Sequence, residues 1–94
     1  EAAKPRPFHG YSFRILTKQG QDAPGGARDY VAGGQMTGGF ALIAFPAEYG
    51  NSGIMTFAVN QDGLIHETDL GPDTVKIASQ IQEYNPDGDW RPVE

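Results

Sequence analysis

Residues 38–73, GGFALIAFPAEYGNSGIMTFAVNQDGLIHETDLGPD, decide the fold of this chain. The segment contains three runs of strand-forming residues, at 40–45, 54–59 and 64–70, which are separated by turn residues. Asp62-Gly63 lies between the last two runs, and it offers the positive φ that a tight hairpin turn requires. The segment therefore predicts an antiparallel sheet.

Two further strands are predicted before this segment. Residues 11–17, YSFRILT, alternate in polarity, which is typical of a half-buried strand with Tyr11, Phe13 and Ile15 on one side. Residues 19–39 are rich in glycine, and a structureless loop of that length is unusual in a small domain. We therefore expect residues 28–31 to pair as a brief strand at an edge.

A helix is predicted after the last strand, over residues 75–84. Gly71 and Pro72 end the strand, and Asp73 or Thr74 is expected to be the N-cap. Four apolar side chains then fall at helical spacing, at Ile77, Ala78, Ile81 and Tyr84. We expect this stripe to pack on the sheet beside Phe57 and Phe45.

The predicted fold is α+β, a four-stranded, mainly antiparallel sheet with one C-terminal helix packed on a face. Residues 1–10 are expected to form an extended linker or arm, and residues 11–94 a single domain. The predicted core consists of Phe13, Ile15, Leu42, Phe57, Val59, Ile77 and Ile81.

Composition excludes several functions. The chain has 94 residues, a formal net charge of -5 and a sequence pI near 4.8, and it contains no cysteine. Its few basic residues are scattered, whereas a phosphate-binding surface needs them clustered. Nucleic-acid binding and attachment to anionic membranes are therefore not expected. No apolar run approaches the roughly 20 residues that span a bilayer.

Residues that could perform catalysis or bind a metal are few. His9 and His66 could join Asp62, Glu67 or Asp69 in a metal site. However, His66 and Glu67 are neighbours on a strand and point to opposite faces. We therefore predict no metal site and no cofactor.

Serine catalysis, calcium binding and phosphate binding are also weakly supported. Ser12 or Ser52 could be placed in a Ser–His–Asp arrangement, but the G-x-S-x-G elbow is absent. The alternate-residue spacing of Asn85, Asp87 and Asp89 is that of a calcium loop, but Trp90 replaces the glycine that such a loop needs. The glycine pairs around residues 35–37 lack the context of a phosphate loop. We predict a turn at Ser52, a turn at residues 85–89, a loop or tight turns around residues 35–37, and no catalytic residues.

Three aromatic residues, Tyr30, Tyr49 and Trp90, are the candidate binding residues. They lie in predicted loops or termini, where functional groups concentrate. Aromatic side chains can stack on a ligand and also offer a polar tip.

Three long strings resemble the C-terminal half of bacterial proteins grouped as domain of unknown function 2950. They are PFHGYSFRILTKQG, the stretch PGGARDYVAGGQMTGGFALIAFPAEYGNSGIMTF, and DLGPDT. The resemblance implies export to the bacterial periplasm or cell envelope, but it implies no activity, cofactor or functional residue. It also implies a longer protein with a signal sequence and a mostly helical half before this region. If that half is missing here, its removal would expose an apolar patch on the sheet.

We therefore expect a non-enzymatic envelope module that contacts the upstream half of its own precursor or another envelope protein. The alternative is a module that binds envelope glycan or peptide through Tyr30, Tyr49 or Trp90. A hydrolase or metal enzyme centred on His66 is the third hypothesis.

Overall fold

A computed structural model describes residues 10–23 and 25–93. The elements in chain order are β1 (Tyr11–Leu16), β2 (Lys18–Gln19), β3 (Arg28–Asp29), β4 (Val31–Ala32), β5 (Gln35–Met36), β6 (Ala41–Pro46), β7 (Thr56–Asn60), β8 (Ile65–Thr68), helix α1 (Thr74–Gln80) and β9 (Arg91–Pro92). The main sheet has the order β1-β6-β7-β8-β9, and all of its pairs are antiparallel. The predicted arm at residues 1–10 lies outside the described residues, except for Gly10.

The α+β class is confirmed, but the main sheet has five strands and not four. The additional strand is β9, which pairs with β8 through His66 opposite Pro92 and Glu67 opposite Arg91. Sequence patterns do not reveal it because it is only two residues long and contains a proline. Proline is tolerated there because β9 is an edge strand. On its outer side no neighbouring strand needs a backbone N–H, so the missing N–H of proline breaks no hydrogen bond of the sheet.

The hairpin predicted around Asp62-Gly63 is confirmed. β7 and β8 pair from Thr56 opposite Thr68 to Val59 opposite Ile65. Asn60 Oδ1 accepts hydrogen bonds from the backbone N–H groups of Asp62 and Leu64 at 3.0 and 3.1 Å. Gly63 has a φ of 76°, which a residue with a side chain rarely adopts.

The glycine-rich stretch before β6 forms two small sheets beside the main one. β2 pairs with β3, and β4 pairs with β5 across a turn at Gly33-Gly34. Both of these glycines have positive φ, as a two-residue hairpin turn requires. The expected brief strand at residues 28–31 is therefore present as β3 and the start of β4, but it is not part of the main sheet.

The hydrophobic core lies between one face of the main sheet and the layer that contains α1. β1, β6 and β7 direct alternate side chains to this face. Those of β6 and β7 are almost fully buried, whereas on β1 Leu16 is buried and Ser12 and Arg14 are partly buried. The core also includes Ala78 of α1, together with Tyr30 and Tyr84 from the connecting segments. We call this side of the sheet the covered face, and its buried residues are Leu16, Ala41, Ile43, Phe45, Thr56, Ala58 and Asn60.

Helix α1 is shorter than predicted, because it ends at Gln80 and not at residue 84. Ile81 has extended backbone angles. Arg14 lies on the covered face, and its Nη1 donates hydrogen bonds to the backbone oxygens of Ala78 and Ile81 at 2.6 and 2.7 Å. A cation at a helix C-terminus satisfies carbonyl groups that the helix itself leaves unpaired. The Arg14 side chain thus helps to end the helix at this point.

Replacing Arg14 with methionine should destabilise the fold by about 1.5–3 kcal/mol, which is the range for hydrogen bonds to a charged group. The variant keeps an apolar stem of similar length but loses both bonds to the helix end. Urea denaturation measures the loss. The matched control is Lys76→Met on the exposed side of α1, which should change stability by less than about 0.5 kcal/mol. Equal effects from the two substitutions would contradict this account of the helix end.

Candidate interaction surface

The other face of the main sheet is apolar and lies opposite to α1. Residues that pair across neighbouring strands point to the same face, so the register assigns each side chain to one side. We call this side the open face, and its apolar residues are Tyr11, Phe13, Ile15, Leu42, Ala44, Phe57, Val59 and Ile65.

One row of aliphatic side chains crosses the open face from β1 to β8. Ile15 pairs with Leu42, Leu42 with Val59, and Val59 with Ile65. Beyond β8, Val93 donates its backbone N–H to the carbonyl oxygen of Ile65 at 2.9 Å. Neighbouring strands lie about 4.8 Å apart, so these side chains form a continuous apolar ridge.

A second row lies parallel to the first, two residues further along the strands. Phe13 pairs with Ala44, and Ala44 pairs with Phe57. A small alanine side chain therefore lies between two phenylalanines in this row. The row ends in a charged pair, in which Arg91 Nε lies 3.4 Å from Glu67 Oε2.

Several side chains of the open face contact water extensively. Ile15 is 65% exposed, while Phe13 and Ile65 are each 41% exposed. Leu42 and Val59 are only partly buried. Contiguous exposed apolar surface of this kind often marks a binding site.

The predicted core is therefore wrong in most of its members. Phe13 and Ile15 are exposed, the other strand residues of that list are only partly buried, and Ile77 of the helix is 38% exposed. Ile81 is partly buried and packs against the core. The buried residues of α1 are Thr74 and Ala78. Of the predicted stripe, Ala78 and Tyr84 are buried and Ile81 packs against the core, so Ile77 is the member for which the prediction is wrong.

The three candidate aromatics do not share a site. Tyr30 is a core residue with no exposed surface, and its hydroxyl donates to Gln19 Oε1 at 2.8 Å. The expectation that it lies accessible in a loop is wrong. Tyr49 is half-buried, and its hydroxyl donates to Asp69 Oδ1 at 2.7 Å. Trp90 is half-buried against the core and lines a cavity together with Tyr84. Tyr84 is not among the binding residues that the sequence predicts.

The residues weighed above for catalysis or metal binding do not form a common site. His66 Nδ1 lies 3.3 Å from the Tyr84 hydroxyl, whereas Glu67 points to the opposite face. Ser52 Oγ exchanges hydrogen bonds with the backbone of Glu48, as expected of a turn residue. His9 lies outside the described residues. Within residues 10–23 and 25–93, no group of three or more His, Asp or Glu side chains could hold a metal ion.

The residues that resembled a calcium loop form a turn, as predicted. Asp87 Oδ1 accepts from the backbone N–H of Asp89 at 2.9 Å, and Trp90 N–H donates to the carbonyl oxygen of Asp87 at 3.0 Å. The side chain of Asp87 therefore serves the backbone of its own turn. The glycines around residues 35–37 belong to the small hairpin of β4 and β5.

Alkaline pH should destabilise the protein. Burial raises the pKa of Tyr30 and of Tyr84 above the ordinary value of 10.0, and the hydrogen bond to Asp69 raises the pKa of Tyr49. In each case the fold favours the neutral phenol. This contribution is complete below pH 10 and is lost as the pH rises through the raised pKa values. The denaturation midpoint should therefore decrease as the pH rises above 10. Tyrosinate absorbance should appear at a higher pH in the folded protein than in the protein unfolded by urea. Identical titrations in both states would contradict the burial of these phenols.

Comparisons with known proteins give a family but no function. No curated protein and no solved structure matches the chain. In the part of the chain that the structure describes, no helix has the length and apolar character needed to cross a membrane. One family model matches residues 1–93, and its description is "Protein of unknown function (DUF2950)". Because this match covers essentially the whole sequence, the chain belongs to that family.

Proposed function

We propose that this chain is a non-enzymatic interaction module of the bacterial periplasm or cell envelope. Its open face binds an amphipathic helix from the upstream part of the same polypeptide. The observation that carries the proposal is the unbroken apolar ridge of Ile15, Leu42, Val59 and Ile65, together with its exposure to water.

The size of the open face favours a helix over a second copy of this chain. Strands β1, β6, β7 and β8 span roughly 15–20 Å across and roughly 15 Å along, an area of roughly 300 Å². A stable dimer buries about 800 Å² of accessible surface on each partner, so a second copy would need contacts well outside these strands. A helix is about 10–12 Å wide with its side chains, so one helix of about 20 Å covers most of the face.

The chemistry of the open face favours an apolar partner surface. Its only charged pair, among the described residues of its two rows, is Glu67 with Arg91 at one end. These two groups neutralise each other and present no net charge to a partner. The rest of the two rows offers aliphatic and aromatic carbon, with the small side chain of Ala44 between two phenylalanines. An apolar helix face meets these requirements.

The layer structure points the same way. The molecule measures 38 × 38 × 21 Å along its principal axes, so it is flat. The sheet and the layer with α1 account for this thickness, because packed layers lie about 10 Å apart. A helix on the open face would create a three-layer arrangement in which both faces of β6 are buried. The apolar sequence of β6 on both of its sides, ALIAFP, suits a strand that is covered twice.

Co-expression with the polypeptide encoded upstream of Glu1 tests the proposal. The two pieces should co-purify, and Ile15→Asp should weaken their association at least about tenfold, since an aspartate would be buried in an apolar interface. The matched control is Val75→Asp, which places the same charge on the exposed outer side of α1. It should leave the association unchanged.

Two results would count against the proposal. One is the absence of association between the folded pieces, and the other is equal loss with both aspartate variants. Sedimentation of this chain alone distinguishes a further alternative. A concentration-dependent dimer that Ile15→Asp abolishes would assign the open face to a second copy of this chain. Association with another envelope protein, and not with the upstream piece, would assign the open face to that protein.

A further inference from the structure

We propose that a cavity on the other side of the molecule binds a small organic ammonium ion that carries one aromatic ring or a short alkyl chain. The cavity lies between the covered face and residues 81–90, and its volume is about 220 Å³. It is separate from the open face, so this inference does not depend on the proposed docking of a helix.

The floor of the cavity is apolar. Leu16, Ile43 and Ala58 of the covered face line it, and each is at most 5% exposed. Two aromatic side chains, Tyr84 and Trp90, are also among its lining residues. A ligand in this cavity would therefore contact aliphatic carbon and aromatic rings, which favour an apolar body and also attract a cation.

The exposed residues around the cavity are polar, and two of them are acidic. Gln82, Glu83 and Asp87 are all exposed, as expected of residues at the mouth. Among the described residues that line the cavity, none is a lysine or arginine. Arg14 and Lys18 line an adjoining groove, and the Arg14 guanidinium is bonded to the carbonyl oxygens of Ala78 and Ile81. The two carboxylates at the mouth outnumber this one bonded guanidinium, so the mouth carries a net negative charge and would favour a positively charged head group over a neutral or negative one.

Backbone and side-chain hydrogen bonds hold the mouth in place. Tyr84 donates its N–H to Lys18 and accepts from the N–H of Gly20, both at 2.9 Å. Asn85 Oδ1 accepts from the backbone N–H of Asp22 at 2.8 Å. The side chains of Glu83 and Asn85 also lie directly over Gly20, where a Cβ atom would collide with them. The segment is thus fixed before any ligand binds, which lowers the entropy cost of binding.

The volume limits the size of the ligand. An apolar cavity of about 150 Å³ can hold benzene, whereas typical drug-sized sites begin at about 300 Å³. The present cavity therefore accommodates one ring or a short alkyl chain. An ammonium group joined to that body by two or three bonds would reach the carboxylates at the mouth. Phenethylamine has these features and serves as the probe.

Fluorescence of Trp90 measures binding directly, because it is the only tryptophan in the chain. Phenethylammonium should change this fluorescence in a saturable manner. Its affinity should exceed that of the neutral isostere 2-phenylethanol by about tenfold, the difference expected from cation–π and carboxylate contacts together. The anion 3-phenylpropionate should bind more weakly than either. Amide shifts at Ala58 and Ile43 in NMR spectra would place the ring at the floor of the cavity.

The matched variants separate the mouth from general charge effects. Glu83→Gln with Asp87→Asn should reduce the affinity for phenethylammonium about threefold, which is the share of the carboxylates, while leaving 2-phenylethanol unchanged. Asn at position 87 keeps the oxygen that accepts from Asp89, so the turn is preserved. The control is Asp89→Asn, which removes a charge from the same turn but outside this cavity. Equal affinity for the amine and the alcohol, or no saturable change with either, would overturn the proposal.

Discussion

Replacing Ile43 with alanine is expected to cost about 2–5 kcal/mol of folding free energy, the usual range for truncating a buried isoleucine. Ile43 has no exposed surface and lies at the centre of β6, with Leu16, Ala58 and Ala78 in the same core. Domains of this size are stable by only about 5–15 kcal/mol, so the loss would be a large share of the total. Urea denaturation followed by circular dichroism measures it.

The control for this prediction lies on the neighbouring strand. Ile15→Ala makes the same chemical change at a position that is 65% exposed, and it should cost less than about 1 kcal/mol. The two values together identify the buried face of the sheet. Comparable losses at Ile43 and Ile15, or a larger loss at Ile15, would contradict the assignment of the covered and open faces.

Tyr84→Ala is the second substitution with a large expected effect, at about 3–5 kcal/mol, by analogy with other buried aromatic side chains. Tyr84 is 1% exposed and belongs to the core cluster. It also sits where the chain leaves α1 and bridges to Gln19. Its loss would therefore remove core volume and loosen residues 81–90. Thermal denaturation and the fluorescence of Trp90, which lines the same cavity, would both report the change.

Tyr84→Phe separates the ring from its hydroxyl. The hydroxyl lies 3.3 Å from His66 Nδ1, which is a long hydrogen bond, so its removal should cost only about 0.5–1.5 kcal/mol. If the phenylalanine variant were as unstable as the alanine variant, the hydroxyl and not the packing of the ring would hold this segment.

Much of the fold could be predicted from local sequence. The three runs in residues 38–73 form β6, β7 and β8, and the turn at Asp62-Gly63 connects the last two. Asp73 is the N-cap of α1, although its side chain makes no capping hydrogen bond. These features depend on neighbouring residues, and turn and capping chemistry are local properties. Strand β9 and the end of α1 depend instead on distant partners, namely β8 and Arg14.

The choice of the buried sheet face could not be predicted from alternation alone. β6 is apolar on both sides, and the covered face contains polar residues that suggest exposure. Arg14 lies there because its guanidinium reaches the end of α1, and Asn60 lies there because its side chain is used by the hairpin turn. Thr56 is also fully buried on this face. Each of these polar residues has an apolar neighbour one position away, which points to the other face, so the alternation of the sequence favours the wrong side as the buried one.

The candidate sites differ in how visible they are in the sequence. Trp90 could be selected because a lone tryptophan in a polar tail is unusual, and the structure places it at a cavity. The other ring at the cavity, Tyr84, falls at helical spacing with Ile77, Ala78 and Ile81. The sequence therefore predicts a place in the helix stripe and gives no sign that Tyr84 and Trp90 line one cavity. Phe13 and Ile15 are apolar at alternate positions, so the sequence predicts that they belong to the core. The same apolar character makes the exposed open face a candidate binding surface.

Thiol labelling tests the central claim most directly, because the chain contains no natural cysteine. A single Ile15→Cys variant should react rapidly in the isolated chain and at least about tenfold more slowly when the upstream polypeptide is present, since a docked helix excludes the reagent. Ile43→Cys should be protected in both. Protection of position 15 in the isolated monomer, or an unchanged rate in the longer protein, would contradict the claim that the open face is a docking surface.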